Sequence, residues 1–338
     1  MGRVTSVQVA KRAGVSQSAV SRFFTPGASV SKKTAEKVRK AAEELGYRPN
    51  VLARSLITGR SRMIGLVVAY LENYFYPEAL EKLSNALQAR GYHVLMFMAQ
   101  HTAGRIDKVL EEILDYQVDG IVMASVAVSS ELAARCQAAG VPVVLFNRNQ
   151  DDERLSAVTS DNVAGGRKIA EFLVKAGHRR IGYIAGWEGA STQRDREAGF
   201  RGGLAEHGVE LHAREVGNFR FEEAREATRR MFATEDRPDA VFVANDHMAF
   251  AAMDVLRSEL GLRLPADVSV IGFDDVPPAA WSAYDLTTVR QRANQMVEET
   301  VETLLAHIEH RDAEPRRIAI EGPLIVRGSA RKPEDWHG

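Results

Sequence analysis

The sequence predicts a multidomain chain: an all-α helix-turn-helix headpiece with a hinge helix, then an α/β body of two parallel-sheet lobes. The first observation is charge, because residues 1–62 hold 13 Lys and Arg against 3 Glu, whereas residues 63–338 hold 31 basic and 42 acidic residues. The second is a pair of capped helix starts around a Gly turn in the basic segment. The third is the alternation of β-rich runs with helical stretches in the remainder. A compact cationic segment neutralises phosphates and releases counterions, so we expect the head to bind nucleic acid.

Composition excludes several classes of protein. The chain has 338 residues, 45% of them hydrophobic and 26% charged, which is typical of a globular protein with two or three domains. No apolar run reaches the roughly 20 residues of a membrane span, and no signal-peptide pattern opens the chain. Cys136 is the only cysteine, which excludes an intrachain disulfide and a cysteine-rich zinc site. We therefore expect a cytoplasmic, nucleoid-associated protein with no metal and no cofactor.

Two capped helices open the chain. Thr5 as N-cap with Gln8 three residues later forms a capping box, and this first helix is expected to run to about Ala13. Gly14 offers the left-handed conformation of a tight turn, and Ser16 caps the second helix. Two short helices joined by such a turn have helix-turn-helix geometry.

The second helix leaves a polar face outward while its apolar residues pack inward. The third helix, from Ser31 to about Gly46, has an apolar stripe and a coat of lysines. A solvated three-helix bundle with a basic face is the alternative interpretation. Gln reads adenine well and Arg reads guanine, so the outward residues are candidates for contacts in a major groove. They are Gln17, Ser18, Ser21 and Arg22.

Residues 4–56 resemble the DNA-binding headpiece of the lactose/purine repressor (LacI/GalR-type) family of bacterial transcription regulators. The resemblance is carried by Ala13-Gly14-Val15-Ser16, Val20-Ser21-Arg22 and Leu45-Gly46-Tyr47-Arg48-Pro49-Asn50. Thr25 departs from it, because the family usually has Asn there. The resemblance implies that Gln17, Ser18 and Arg22 read bases. It implies phosphate contacts from Thr5, Ser16, Ser21, Ser31 and Asn50.

The segment after the headpiece is predicted to be a hinge helix. Seven or so residues cannot sustain an isolated helix in water, so its stability must come from a partner. The resemblance implies that it folds on the operator, where Ala53 lets two copies approach and Leu56 unstacks a base step as an apolar wedge. A flexible linker is the alternative, since Thr58-Gly59-Arg60-Ser61 follows at once.

The body is predicted to contain two lobes, because its strands are too many for one sheet of normal size. The resemblance continues here, with the periplasmic sugar-binding fold, through markers such as Gly272-Phe273-Asp274-Asp275. We place the headpiece at residues 1–48 and the hinge at 49–62. The first lobe takes 63–161 with about 290–322, and the second takes 162–289 with about 323–331. Candidate strands are Met63–Val68, His93–Ala99, Gly120–Ala124, Val143–Phe146, Ala157–Ser160, Arg180–Ala185, Leu211–Val216, Ala240–Ala244 and Val268–Phe273.

Ligands of open α/β sheets bind beyond the carboxyl ends of the strands, and this rule selects a cleft. Asp161 and Asp275 are as well explained as caps or structural residues, and Arg148 has a carboxylate pairing as its alternative. If Arg148 and Arg196 both face the ligand, a sugar acid or a sugar phosphate suits the cleft better than a neutral sugar. The residues that follow strands here are Tyr70, Asn73, Tyr74, Phe75, Ser125, Asn147, Arg148, Trp187, Arg196, Phe219, Asn245, Asp246, Asp274 and Asp275. Our candidates for effector binding are Tyr74, Phe75, Ser125, Arg148, Arg196, Phe219, Asp246 and Asp274, of which the resemblance favours Arg196, Asp246 and Asp274.

These patterns indicate a ligand-responsive transcription regulator, a repressor rather than an enzyme. The resemblance implies a homodimer on a near-palindromic double-stranded operator, with a small carbohydrate-like metabolite sensed between the lobes. No nucleophile elbow and no phosphate loop occurs in the sequence. Two alternatives stay open: a solute-binding protein without a regulatory role, which would not retard DNA, and an α/β sugar-processing enzyme, which would turn its ligand over.

Overall fold

The computed structural model describes residues 4–25, 28–48, 60–99, 103–126, 130–150, 153–310 and 312–334. It divides into one unit of residues 1–62 and another of residues 63–338. The predicted hinge helix, with Asn50, Ala53 and Leu56, lies outside the described residues.

The headpiece forms the predicted helix-turn-helix. Its helices are α1 (Ser6–Ala13), α2 (Gln17–Phe23) and α3 (Lys32–Leu45). The capping box is confirmed, since the backbone N–H of Gln8 donates to the Thr5 hydroxyl and the Thr5 N–H donates to Gln8 Oε1. Gly14 and Gly46 end α1 and α3 in the left-handed conformation, with φ of 64° and 63°. The small core between the helices consists of Val9, Ala10, Val20, Val38, Ala41 and Ala42.

The body is built of β-strands that alternate with α-helices. Up to the first crossing between its two sheets, the elements are β1 (Met63–Val68), α4 (Phe75–Ala89), β2 (His93–Met98), α5 (Ala103–Asp115), β3 (Gly120–Ala124), α6 (Ser130–Ala138), β4 (Val143–Phe146) and β5 (Ser156–Ser160). After it come α7 (Asn162–Lys175), β6 (Ile181–Ala185), α8 (Ser191–Glu206), β7 (Ala213–Val216), α9 (Phe221–Met231), β8 (Ala240–Val243) and α10 (Asp246–Asp254), which continues as a π-helical turn (Val255–Glu259). The last elements are β9 (Ser269–Asp274), a 3-10 turn (Pro277–Ala280), β10 (Thr287–Arg290), α11 (Ala293–Glu309), β11 (Arg317–Ile320) and β12 (Leu324–Ile325).

Two six-stranded sheets result, and each has helices packed on it. Their strand orders are β11-β5-β4-β3-β1-β2 and β12-β10-β9-β8-β6-β7. Among the described residues, every strand pairing is parallel except that of β10 with β12. The chain passes from one sheet to the other after β5, after β10 and after β11, so both lobes are discontinuous in sequence. Most strands are buried on both faces, as expected of parallel sheets covered by helices, and the edge strand β2 is half-exposed.

The nine strands that the sequence predicts are present to within about two residues at each end. The last three strands were not predicted, because β10 is rich in threonine, β11 begins with an exposed arginine, and β12 has two residues. No helix among the described residues is long and apolar enough to cross a membrane.

Helices α7 and α8 cross at unusually close range. A Cβ atom on Gly199 would lie 2.0 Å from the carbonyl oxygen of Val163, and one on Gly166 would lie 2.3 Å from the carbonyl oxygen of Arg196. Only glycine allows two helix backbones to approach in this way. This contact matters for the cleft, because α7 starts at the first crossing between the lobes and α8 carries Arg196.

Candidate nucleic-acid interface and effector cleft

The second helix of the headpiece presents the predicted polar face. Gln17, Ser18, Ser21 and Arg22 are all exposed on α2, whereas Val20 is buried beneath them. Gln17 Nε2 donates to Ser6 Oγ at 3.1 Å, and Arg22 Nε lies 3.4 Å from the carbonyl oxygen of Ser18. These contacts orient the side chains from within the headpiece while leaving their outer edges in solvent.

Three of the predicted phosphate contacts share one structural position. Thr5, Ser16 and Ser31 are the N-caps of α1, α2 and α3, and each hydroxyl accepts from a backbone N–H three residues on. All three are exposed. The first N–H groups of a helix have no partner within it and favour anions, so these positions suit phosphate contact.

In the body, backbone conformation marks the cleft independently of any side-chain argument. Non-glycine residues rarely adopt a positive φ, and where they do the strain often accompanies a functional site. Of the described non-glycine residues with positive φ, six lie at or just beyond the carboxyl ends of strands β3, β4, β7 and β9. They are Ser125 (63°), Asn147 (68°), Asn218 (54°), Phe219 (61°), Asp274 (131°) and Asp275 (58°).

Arg196 lines the cleft, and all three nitrogens of its guanidinium contact protein groups. Its Nε donates to Asn162 Oδ1 at 2.9 Å, and its Nη1 donates to the carbonyl oxygen of Ala244. Its Nη2 lies 3.4 Å from Asp274 Oδ1, and the guanidinium stacks 3.7 Å from the centre of the Phe273 ring. This arginine is therefore held in place and balanced in charge by the protein itself.

Asp274 gathers contacts from both lobes. Gln291 Nε2 donates to its Oδ1 at 2.6 Å, and Asn73 Nδ2, which comes from the first lobe, lies 3.3 Å from its Oδ2. Burial raises the pKa of Asp274, while Arg196, Gln291 and Asn73 oppose that rise by stabilising the carboxylate. Because Asn73 follows β1 and Asp274 ends β9, and these strands belong to different sheets, their hydrogen bond ties the two lobes together.

Arg148 has very different surroundings. Only 6% of it is exposed, and its guanidinium carbon lies near two aromatic rings, 5.7 Å from the centre of Trp187 and 5.9 Å from that of Phe219. Its Nη1 donates to the carbonyl oxygen of Ser125 at 3.0 Å, and its Nε is buried without a partner. Among the described residues no carboxylate lies within ion-pair distance of it, so the pairing left open by the sequence is not found.

Asn245 and Asp246 are adjacent in sequence, but Asn245 lies at the cleft and Asp246 lies in the core. Asn245 lines the cleft and caps α10 through the backbone N–H of Met248. Asp246 is fully buried behind it, where Oδ1 accepts from the Thr288 hydroxyl at 2.6 Å and Oδ2 from the N–H of Val276 at 3.0 Å. Desolvation and the charge of Asp274 raise the pKa of Asp246 to about 8. Of this pair, Asn245 lines the cavity, whereas Asp246, which the sequence proposes as an effector contact, lies in the core.

Three other candidates also lie away from the centre of the cleft. Tyr74 is 49% exposed and does not line it. Phe75 is buried in the hydrophobic core, where its ring stacks on Phe146 with the centroids 6.2 Å apart. Ser125 acts through its backbone, whose carbonyl accepts from Arg148. The carboxyl-end rule identified the right loops, but it did not tell which side chain of each loop turns inward.

The cleft is closed in this structure. Its central cavity measures about 10 Å³, room for about one water molecule. A second contact between the lobes, from the N–H of Asn149 to Ser191 Oγ at 3.0 Å, adds to that of Asn73 with Asp274. Tyr76, Thr192 and Gln291 were missed by the sequence, although Gln291 directly follows β10 and the same rule would have found it. The cavity is lined by Tyr70, Asn73, Tyr76, Asn147, Arg148, Thr192, Arg196, Phe219, Asn245 and Asp274.

Comparison with known proteins identifies the family. Residues 7–50 match the family described as bacterial regulatory proteins, lacI family, and residues 170–330 match the periplasmic binding protein-like domain. The transcriptional repressor PurR of Mannheimia succiniciproducens is 31% identical over 331 residues, which cover 97% of this chain and 99% of that protein. The chain belongs to the lacI family of bacterial regulatory proteins. The predicted family and fold class are thereby confirmed.

Other lacI-family proteins are similar over the same length. The transcriptional regulator CelR of Thermobifida fusca is 34% identical over 340 residues, 97% of this chain and 98% of that one. A CelR–cellobiose complex has a TM-score of 0.74 at 32% identity, covering 97% of this chain and 100% of the other. The lac repressor dimer bound to operator and the anti-inducer ONPF has a TM-score of 0.88 at 27% identity, covering 97% and 99%. These relatives are named as regulators of transcription, and no group of His, Cys, Asp and Glu in the described part of this chain could hold a metal ion.

Proposed function

We propose that this lacI-family protein is a transcription repressor that binds a near-palindromic operator as a homodimer. Its affinity for the operator would change when a small metabolite binds. The observation that carries this is the presence, in one chain, of an exposed polar recognition face on α2 and a polar cleft closed by contacts between two lobes. The first is suited to reading DNA. The second is suited to sensing a ligand, because a ligand that contacts both lobes favours one arrangement of them over the other.

The headpiece supports operator binding. Gln17, Ser18 and Arg22 would read base edges from α2, while the N-caps Thr5, Ser16 and Ser31 would hold phosphates. Ser21, exposed on the same helix, would add a phosphate contact. In the hinge segment, Asn50, Ala53 and Leu56 stay predictions: a phosphate contact, a close approach between two hinge helices, and an apolar wedge between bases.

Exposed apolar side chains support a homodimer. Met96 and Met98 lie on the edge strand β2 with 53% and 48% of their surface exposed, and Tyr116, just beyond α5, is 53% exposed. An uncovered apolar edge strand invites pairing with another chain. The lac repressor of similar fold is described as a dimer on its operator, and a palindromic operator requires two headpieces. A second copy of this chain is therefore the occupant that we propose for the β2 edge.

The effector would be carbohydrate-like: a sugar, a sugar acid or a sugar phosphate. Phe219 would cover an apolar face, and Arg148, Arg196 and Asp274 would contact polar groups. A ligand that takes over the contact of Asn73 with Asp274 would alter the closure of the lobes. The hinge is the marginal element through which that change would reach DNA affinity. The CelR–cellobiose complex supports this class by similarity of fold.

Two measurements test the proposal. Selection of duplex DNA from a random pool, followed by gel retardation, should yield a near-palindromic site that the full chain retards. Thermal unfolding with sugars, sugar acids, sugar phosphates and purines should reveal a compound that raises the unfolding midpoint by mass action and changes retardation. Failure to retard any selected duplex at low salt would contradict a repressor and leave a solute-binding protein. Chemical conversion of the stabilising compound would instead indicate an enzyme.

A further inference from the structure

A second cavity lies in the first lobe, at the edge of the sheet opposite to the effector cleft. Its walls include Val143 at the start of β4, Ser156 at the start of β5 and Pro315 just before β11. The effector cleft lies beyond the carboxyl end of β4, so the two cavities are at opposite ends of that strand and share no residue. The second cavity measures about 630 Å³, a usual size for a pocket that holds a small molecule.

The buried wall of this second cavity is apolar. Ala133 and Cys136 of α6 line it together with Val143 and Leu155, and all four residues are buried. Such a wall favours an apolar group of a ligand, because contact removes the surface of both from water. The wall has too few polar groups for a sugar, whose hydroxyls each need a hydrogen-bond partner.

One polar pair interrupts the apolar wall. Ser156 Oγ accepts from the backbone N–H of Arg316 at 2.9 Å and lies 2.8 Å from His307 Nε2. Ser156 is buried, and its hydroxyl hydrogen has no acceptor other than Nε2 among the described residues. Burial and the charge of Arg316 lower the pKa of His307, so the ring is neutral near pH 7 and we assign its proton to Nδ1. His307 lines the cavity, and its Nδ1–H, which has no acceptor in the described part of the chain, is the donor left for a ligand.

The charged groups of the lining do not suit an anion. They are Arg154, Asp312 and Glu314, and the described residues supply neither carboxylate with an ion-pair partner. Arg316 is not part of the lining and is paired with Glu299 at 3.4 Å. The body as a whole holds 31 basic and 42 acidic residues. A carboxylate or phosphate would therefore meet net negative charge, whereas a neutral or cationic compound would not.

We infer that this cavity is a second small-molecule site, for a compound with an apolar body, one hydrogen-bond acceptor and no anionic group. Neutral aromatic amides belong to this class. The amide oxygen accepts from Nδ1–H of His307, and the ring covers Cys136 and Leu155. This ligand class differs from the carbohydrate-like effector, and the inference does not depend on the proposed function.

The only cysteine of the chain provides a direct readout, because Cys136 lines the cavity. Burial raises the pKa of its thiol, so its modification is slow and is best followed at about pH 8.5 by mass spectrometry of the intact protein. The reagents are neutral methyl methanethiosulfonate, its cationic trimethylammonioethyl analogue and its anionic sulfonatoethyl analogue. Each rate is divided by the rate of the same reagent with the urea-unfolded chain. The normalised rates of the neutral and cationic reagents should exceed that of the anionic reagent by about tenfold.

Ligand binding is measured with three amides and their acids: benzamide and benzoate, nicotinamide and nicotinate, indole-3-acetamide and indole-3-acetate. At saturating concentration at least one amide should protect Cys136 from methyl methanethiosulfonate and raise the unfolding midpoint by mass action. Titration calorimetry should show that its acid binds about tenfold more weakly or not at all.

A blocking substitution locates the site. Ala138→Phe places a ring at an exposed position of α6 that lines the cavity, so amide affinity should fall by about tenfold while the thermal midpoint stays the same. The matched control is Ala205→Phe, at an exposed position of α8 outside the cavity, which should bind every probe as the wild type does.

Two further variants test the chemistry of the site. His307→Phe keeps a ring but not the donor, so amide affinity should fall by about tenfold, whereas the affinity for indole, which has no amide oxygen, should not. Asp312→Asn combined with Glu314→Gln removes both exposed carboxylates, so the affinity of each acid should approach that of its amide.

The inference is overturned if Cys136 of the folded chain resists the neutral reagent, or if no amide of the panel protects it. It is equally overturned by an acid that binds the wild type as tightly as its amide, or by protection that survives in Ala138→Phe. Retardation of the selected operator is a separate measurement, because a chain that still binds DNA keeps its proposed function whatever this second cavity binds.

Discussion

Two residues that are adjacent in sequence at this cleft point in different directions and therefore make different contacts. Asn245 and Asp246 are adjacent in sequence, yet Asn245 lines the cavity while Asp246 accepts hydrogen bonds from Thr288 and Val276 behind it. A carboxyl buried beside Asp274 favours the protonated form, which explains the raised pKa of Asp246. Asp246, which the sequence suggests as a ligand contact, is therefore held by hydrogen bonds in the core behind the cavity.

The pH dependence of stability tests the role of Asp246. An unfolded Asp titrates near about 3.9, and in the fold the pKa is about 8. Between these values folding takes up a proton, so the free energy of unfolding should fall as pH rises, by up to about 1.4 kcal/mol per pH unit. Asp246→Asn, which mimics the protonated acid, should remove this slope between about pH 5 and pH 7.5 in denaturant unfolding. Exposed Asp236→Asn is the control, and parallel curves for wild type and Asp246→Asn would refute the assignment.

At the level of elements, the crossing of α7 with α8 sets the cleft geometry. The N-terminus of α7 carries Asn162, whose side-chain oxygen receives Arg196 Nε from α8. Gly166 and Gly199 allow the two helix backbones to come into contact. The separation of the helices is therefore set by close-packed backbone atoms. Because α7 begins where the chain crosses between the lobes, the position of Arg196 and the crossing depend on the same contact.

Two glycines of α8 form a matched pair for testing this contact. In Gly199→Ala the new methyl would lie 2.0 Å from the carbonyl oxygen of Val163, so the helices must separate and the free energy of unfolding should fall by about 3 kcal/mol. In Gly202→Ala the methyl meets no atom within 4 Å, and the variant should gain about 0.5–1 kcal/mol from helix propensity. Denaturant unfolding checks both changes, and equal effects of the two substitutions would contradict the packing argument.

At the scale of the whole molecule, charge separates a basic head from an acidic body. Residues 1–62 carry a net charge of +10, while the complete chain carries −1. Polyanionic DNA therefore attracts the head and repels the body, which favours binding through the headpiece. The exposed apolar edge of β2 and the closed cleft both lie in the body, where we propose that dimerisation and sensing take place.

Dimerisation is tested at the β2 edge. The double substitution Met96→Glu with Met98→Glu places like charges opposite their symmetry mates, so the chain should sediment as a monomer at micromolar concentration. Operator affinity should fall by at least tenfold, because one headpiece then binds one half-site. Sedimentation velocity and gel retardation measure these effects, with the thermal midpoint of unfolding as a check on the fold. A variant that remains a dimer would show that another surface forms the interface.

Coupling between cleft and headpiece is tested at Asp274. Asp274→Asn removes the charge opposite Arg196 and weakens the contact with Asn73, while the headpiece is untouched. We expect operator retardation to persist within about threefold of wild type and the effect of the stabilising ligand on retardation to be lost, since a coupling energy of about 1–3 kcal/mol disappears. Retention of the full ligand response would rule out Asp274 as part of the sensing site.

The local features of this protein could be predicted because they depend on neighbours in sequence. The capping box of Thr5 with Gln8, the turn at Gly14 and the apolar strands such as Met63–Val68 each involve a few adjacent residues. The rule that ligands lie beyond the carboxyl ends of strands also found most of the loops of the cleft. Gln291 was missed because the strand before it, β10, is short and rich in threonine, so no apolar run predicts a strand there.

The order of the parts follows from the amino-acid sequence alone: a basic helix-turn-helix, then alternating strands and helices, with polar residues after most strands. Which of those polar residues meet depends on the tertiary fold. Asn245 rather than Asp246 faces the cavity, Arg196 is neutralised while Arg148 is not, and Asn73 reaches Asp274 across two sheets. The physical reason is that burial and ion pairing depend on atoms distant in sequence, brought together by the crossings between the lobes. Helix caps and strand patterns, by contrast, depend on only a few consecutive residues.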